Sequence, residues 1–83
     1  MPSGRSNNRK SLQCALEFLD NGDWDAAHKI VQSDDSPAGC WVHGIVHVME
    51  GDLDNARYWY GRAERPFSDD AAQEIAAVKK TLS

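Results

Sequence analysis

The stretch CWVHGIVHVME, residues 40–50, is the most apolar run of the chain and decides the fold. Ser36-Pro37 stands just ahead of it as a helix start signal, since a serine hydroxyl can accept from a free backbone N–H and proline is tolerated at the first helical position. Gly51 follows the run, and glycine commonly ends helices in the left-handed conformation. The sequence therefore predicts a buried central helix over about residues 37–50.

Apolar residues recur at three- and four-residue spacing on both sides of the central helix, which is the pattern of amphipathic helices. No segment alternates with the period of two that is typical of strands. We therefore predict an all-α domain of five helices. Its parts are a hairpin over residues 9–33, a second hairpin over residues 36–65 and a capping helix over residues 68–82. Residues 1–8 are polar and aperiodic, and are expected to form a disordered leader.

Composition narrows the classes of partner. With 83 residues the chain is one domain, and its 9 basic and 13 acidic side chains give a net charge of −4, which disfavours binding to nucleic acid or an anionic membrane. No run approaches the roughly 18 consecutive apolar residues of a membrane-spanning helix. Cys14 and Cys40 are too few for a secreted disulfide framework, although one bridge between them stays open, so we expect a cytoplasmic protein.

An internal repeat organises the helices into two similar hairpins. The segment NGDWDAA at residues 21–27 returns as EGDLDNA at residues 50–56, an offset of 29 residues. In both copies the glycine reverses the chain, the first aspartate caps the returning helix and the last alanine allows the helices to approach closely. The two halves are thus predicted to be copies of one helical hairpin.

This hairpin resembles the tetratricopeptide (TPR) and Sel1-like repeat families. The residues that carry the resemblance are Gly44, Gly51-Asp52, Ala56, Tyr60 and Ala63. Similar Trp-x-His and Ala-x-Tyr-Trp-Tyr runs occur in a small, uncharacterised group of microbial TPR-like proteins, a resemblance that implies no activity. The repeat is shorter than the ~34 residues of the standard TPR, and two copies are fewer than the ~3 that usually make a self-sufficient stack.

The resemblance implies a concave face that binds peptides. In this chain it would be lined by Leu12, Leu16, Leu19, Trp41, Ile45, Val48 and Met49. Either Ile75, Val78 and Leu82 of the last helix cover this face, or it is a groove for a partner helix or a homodimer. The candidate partner-binding residues are Trp41, Ile45, Met49, Tyr58 and Trp59. The expected function is non-enzymatic protein–protein interaction or self-association.

The histidines suggest a different class of function. Cys40, His43 and His47 share one face of the central helix, and the two histidines stand one turn apart, which is the spacing of helical metal sites. His28 could reach the same flank, with Glu50 or Glu17 nearby. The alternative is therefore a small metal-binding or hydrolytic protein that uses a transition metal such as zinc at His28, His43, His47 and Cys40. In the simpler interpretation the histidines are half-buried and hydrogen-bonded to carbonyls or carboxylates.

Overall fold

The computed structural model describes residues 4–83, with side chains from residue 9, and within this range the chain forms five α-helices and no strand. The helices are α1 (Gly4–Asp20), α2 (Trp24–Val31), α3 (Pro37–Glu50), α4 (Leu53–Ala63) and α5 (Ala71–Leu82). The prediction of an all-α fold is confirmed. None of the described helices is both long and apolar enough to cross a lipid bilayer.

The start of α1 differs from the sequence-based expectation. The helix begins at Gly4, so residues 4–8 of the expected disordered leader are helical, while residues 1–3 lie outside the described part of the chain. Apolar periodicity begins only at Leu12, and a helix turn built from polar residues gives no such signal. No proline interrupts the backbone between Gly4 and Leu12, so nothing local stops the helix from extending toward the N-terminus.

The two Gly-Asp turns have the same geometry. Gly22 and Gly51 have positive φ angles of 79° and 93°. After each glycine the aspartate N–H donates to a carbonyl five residues earlier, from Asp23 to Phe18 at 2.8 Å and from Asp52 to His47 at 2.9 Å. The side chains of both aspartates then cap the next helix. The predicted turn chemistry is therefore present in both copies.

Helix α3 is the centre of the core and contacts all four other helices. Its start is the predicted one, with the Ser36 hydroxyl accepting from the Gly39 N–H at 3.0 Å. Every residue from 39 to 47 is buried, and Val42, Ile45 and Val46 have no exposed surface. A helix that is apolar on every side is stable only when it is surrounded, and the other helices provide that enclosure.

Helix α5 covers the apolar face of α1 and α3 that was predicted to be concave. The covering side chains Ile75, Val78 and Leu82 belong to the same buried cluster as Trp41 and Ile45. Glu74 fixes the position of α5, because its Oε1 accepts from Trp41 Nε1 at 3.0 Å and from the Tyr60 hydroxyl at 2.8 Å. Of the two arrangements that the sequence allowed for this face, the structure has the one in which the last helix closes it.

Gly44 permits the close approach of α3 and α4. A Cβ atom at this position would lie 2.6 Å from Tyr60 Cδ1 and 3.4 Å from the Ala56 carbonyl oxygen. Tyr60 is itself buried and hydrogen-bonded to Glu74, so its ring cannot move aside freely. The small residue is thus required by packing between the helices.

We expect Gly44→Ala to destabilise the fold by about 1–3 kcal/mol, because the added methyl group overpacks the contact with Tyr60. Gly61→Ala is the matched control, since a Cβ at Gly61 in α4 would meet no atom within 4 Å. That change should stabilise the protein by up to about 1 kcal/mol through higher helix propensity. Urea unfolding measures both values. Equal effects of the two substitutions would contradict the packing role of Gly44.

Candidate metal centre

Three histidines from two helices converge on one point. His28 of α2 and His43 and His47 of α3 each offer a nitrogen, and the three nitrogens lie within 4.8 Å of one another. The ring centroids are 4.8 Å apart for His28–His43, 5.4 Å for His28–His47 and 5.0 Å for His43–His47. The structure therefore brings His28 to the flank of α3 that carries the other two.

The local sequence explains this arrangement. A four-residue separation puts His43 and His47 one helical turn apart on the same face of α3. The first hairpin lays α2 against α3, and this contact places His28 beside them. His43 and His47 are only 3% and 7% exposed, whereas His28 is half-buried. The cluster thus has a buried side on α3 and a more open side at α2.

Glu50 orients His47. The His47 Nδ1 atom lies 2.7 Å from Glu50 Oε1. Because a carboxylate accepts hydrogen bonds, Nδ1 carries the hydrogen and donates it, and in the neutral imidazole the lone pair is then on Nε2. Metal-binding histidines in proteins are held by the same kind of carboxylate contact, which fixes the tautomer and the ring orientation.

His43 is buried as a neutral side chain. Its ring stacks on Trp59 at a centroid distance of 3.9 Å and an interplanar angle of 10°. Its Nδ1 atom is buried and has no hydrogen-bond partner within the described residues. Burial, and secondarily the neighbouring His47 and His28, lower the pKa of His43 from 6.5 to about 4. At neutral pH this imidazole can therefore offer a lone pair without first losing a proton.

The cluster has the donor chemistry of a zinc-type site. Neutral imidazoles suit Zn²⁺, Cu²⁺, Ni²⁺ and Co²⁺. A tetrahedral zinc ion bound at about 2.0–2.1 Å holds its ligand atoms about 3.3 Å apart. Since the three nitrogens already lie within 4.8 Å of one another, each pair would need to close by at most about 1.5 Å to surround one ion.

Cys40, the fourth predicted ligand, does not join the histidines. Its Sγ atom points to the start of α3, where it donates to the Asp35 carbonyl oxygen at 3.8 Å. Burial raises the pKa of the Cys40 thiol, and although Arg62 opposes this, Asp35 and Asp34 raise the pKa further, so the protonated form is favoured. Cys40 shares a helix face with His43, but its side chain is directed to the other end of that face. Glu17 is likewise outside the cluster.

The predicted partner-binding residues divide into two groups. Trp41 and Ile45 are buried beneath α5 and offer no free surface in this fold. Met49 and Trp59 are half-buried, and Tyr58 is 56% exposed. The sequence pattern could not separate these residues, because the position of α5 decides which of them are covered.

Sequence reasoning missed two neighbours of the cluster. Trp59 was considered only as a partner-binding residue, yet its indole forms one wall of the site by stacking on His43. Asp52 was considered only as a helix cap, yet its carboxylate lies within 4.8 Å of the ligand atoms of His47 and Glu50. For Asp52 a signal exists in the sequence, since it follows His47 by five residues across a tight turn.

No protein-family model, no curated protein sequence and no solved structure matches this chain.

The lowered pKa of His43 predicts a pH dependence of stability in metal-free protein. The unfolded chain protonates this imidazole near pH 6.5 and the folded chain only near pH 4. The unfolded state therefore binds more protons between these values, and stability falls as the pH drops from about 6.5 to 4, by at most about 3 kcal/mol. Above pH 6.5 His43 contributes no pH dependence.

Urea unfolding at pH 7 and pH 4.5 in the presence of EDTA measures this effect. The loss of stability on acidification should be smaller in His43→Gln than in the unsubstituted protein, because glutamine does not titrate. Equal losses in both proteins would contradict the assignment of this pH dependence to His43.

Proposed function

We propose that this chain is a small helical protein that binds one divalent transition-metal ion, with zinc the preferred candidate, through His28, His43 and His47. The observation that carries the proposal is the convergence of three imidazoles from two helices within 4.8 Å. Two features support it further. Glu50 holds His47 in the tautomer with a free Nε2, and His43 is buried with an unpartnered Nδ1.

Without a bound metal ion, the histidine cluster carries a free-energy cost that metal binding would remove. A buried nitrogen without a hydrogen bond costs about 1–3 kcal/mol. The three imidazoles also have very few hydrogen-bond partners, since Glu50 is the one protein partner that the described residues give to their nitrogens. A metal ion bound by all three nitrogens would more than offset this cost.

The scaffold that we propose is the TPR-like arrangement of two hairpins, α1–α2 and α3–α4, followed by a capping helix. The identical Gly-Asp turns and the contact of Gly44 with Tyr60 and Ala56 support it. The thiols of Cys14 and Cys40 are not bonded to each other, which fits a cytoplasmic setting. In this scaffold the metal would connect the two hairpins, because His28 belongs to the first and the other two ligands to the second.

Zinc titration of untagged, metal-free protein by calorimetry tests the proposal. We expect one ion per chain, and loss of stoichiometric binding in His43→Ala and in His47→Ala. Glu50→Gln should retain binding but weaken it about 10–100-fold, because the carboxylate that orients His47 is removed.

Glu17→Gln is the matched control, since Glu17 is an exposed acidic residue outside the cluster. It should bind zinc as the unsubstituted protein does. Circular dichroism verifies that each variant is folded. Absence of stoichiometric binding in the folded, unsubstituted protein would refute the metal-binding function.

Protein interaction is the second candidate, favoured by an aromatic patch formed by Tyr58, Trp59 and Arg62. Tyr58 is 56% exposed and packs edge-on against Trp59 at 5.1 Å, and the Arg62 guanidinium carbon lies 5.2 Å from the Trp59 ring centroid. Rigid aromatic and arginine side chains are the residues that most often dominate binding energies at interfaces. The patch is therefore the surface that would serve self-association.

Sedimentation equilibrium of metal-free protein over a wide concentration range tests this candidate. If the patch mediates self-association, Tyr58→Ser should weaken it by about tenfold or more, as expected for an interface anchor. Leu53→Ser is the matched control, because Leu53 is an exposed apolar residue at the other end of α4. A protein that remains monomeric at every concentration would exclude self-association.

A further inference from the structure

The chain supplies three ligands to an ion that takes at least four. Resting on the metal site proposed above, we infer that the fourth coordination position is open to solvent and exchanges its water for small monovalent anions, hydroxide among them. Structural zinc sites are closed by four protein ligands, whereas three protein ligands and an exchangeable one define an open site.

The nearby donors are already engaged elsewhere. Cys40 is protonated by preference and bonded to the Asp35 carbonyl. Glu50 occupies Nδ1 of His47, on the opposite edge of the ring from the nitrogen that remains for a metal. Asp52 lies with Glu50 rather than with the three histidines. Among the residues that the structure describes, the three-histidine group therefore has no fourth protein donor.

Access to the ion is one-sided. His43 and His47 are buried, and the indole of Trp59 lies flat against His43. His28 alone is half-buried, so solvent reaches the cluster beside α2.

The charge of the site selects the ligand. Three neutral imidazoles leave both positive charges of the ion at the coordination site, because the carboxylates of Glu50 and Asp52 lie together behind His47 and not on the ion. An ion of this kind attracts anions and lowers the pKa of its bound water. In the exchange the water leaves and a lone pair of the anion takes its coordination position, with no change in oxidation state.

Cobalt-substituted protein provides the test, because the visible d–d spectrum of Co²⁺ responds to its ligands. Azide is titrated at constant ionic strength set with perchlorate, and sedimentation is measured on the same samples. We expect a saturable spectral change with one azide per cobalt in monomeric protein. An unchanged spectrum, or a cobalt protein that is dimeric before azide is added, would overturn the inference.

Two variants make the result specific. At saturating Co²⁺, Glu50→Gln should bind azide about threefold more tightly or better, because a nearby negative charge is removed. Glu17→Gln should show unchanged azide affinity. In contrast, azide sensitivity that appears only in Cys40→Ser would identify the thiolate as a fourth ligand and would also overturn the inference.

The two proposals fail in different ways. If neither Zn²⁺ nor Co²⁺ binds, the metal-binding function itself is refuted. If Co²⁺ binds stoichiometrically but azide leaves its spectrum unchanged, the metal-binding function stands and only the open fourth position is refuted.

Discussion

The burial of α3 on every side is the constraint on which the rest of the structure depends. Nine consecutive residues of this helix are inaccessible, so an 83-residue chain must devote its other four helices to enclosing it. The enclosure requires close contacts, and Gly44 is the position where the backbone of α3 meets the ring of Tyr60. It also requires a cover over Trp41 and Ile45, which α5 provides and which Glu74 fixes through two hydrogen bonds.

The same constraint explains why a histidine cluster is chemically informative here. Polar side chains on an enclosed helix cannot rely on water, so each needs a partner within the protein. His47 has Glu50, but the Nδ1 atom of His43 has no hydrogen-bond partner among the described residues, and its ring packs against His47 and Trp59.

The features that could be predicted from the sequence are those with local causes. Ser36-Pro37, the two Gly-Asp turns and the acidic caps each act through hydrogen bonds within a few residues, and all of them lie where they were expected. The start of α1 was predicted too late in the chain, because a helical turn made of polar residues shows no apolar periodicity. Which side chains of the central helix are covered, and whether Trp59 or Cys40 lies beside His43, depend on distances between helices. The spacing of apolar residues along one helix gives no information about those distances.

The two Gly-Asp turns, each with a hydrogen bond from the aspartate N–H to a carbonyl five residues earlier, also define equivalent positions 29 residues apart in the sequence. By that correspondence His43 matches Cys14, His47 matches Phe18 and His28 matches Arg57. The Gly-Asp turn is thus repeated, whereas at each of these three matched pairs only one member is a histidine. If the hairpins arose by duplication of one ancestral unit, the three-histidine cluster was acquired after the copies diverged, at the junction that neither unit possesses alone. The cluster then depends on both halves of the chain, because His28 lies in the first half and His43 and His47 lie in the second.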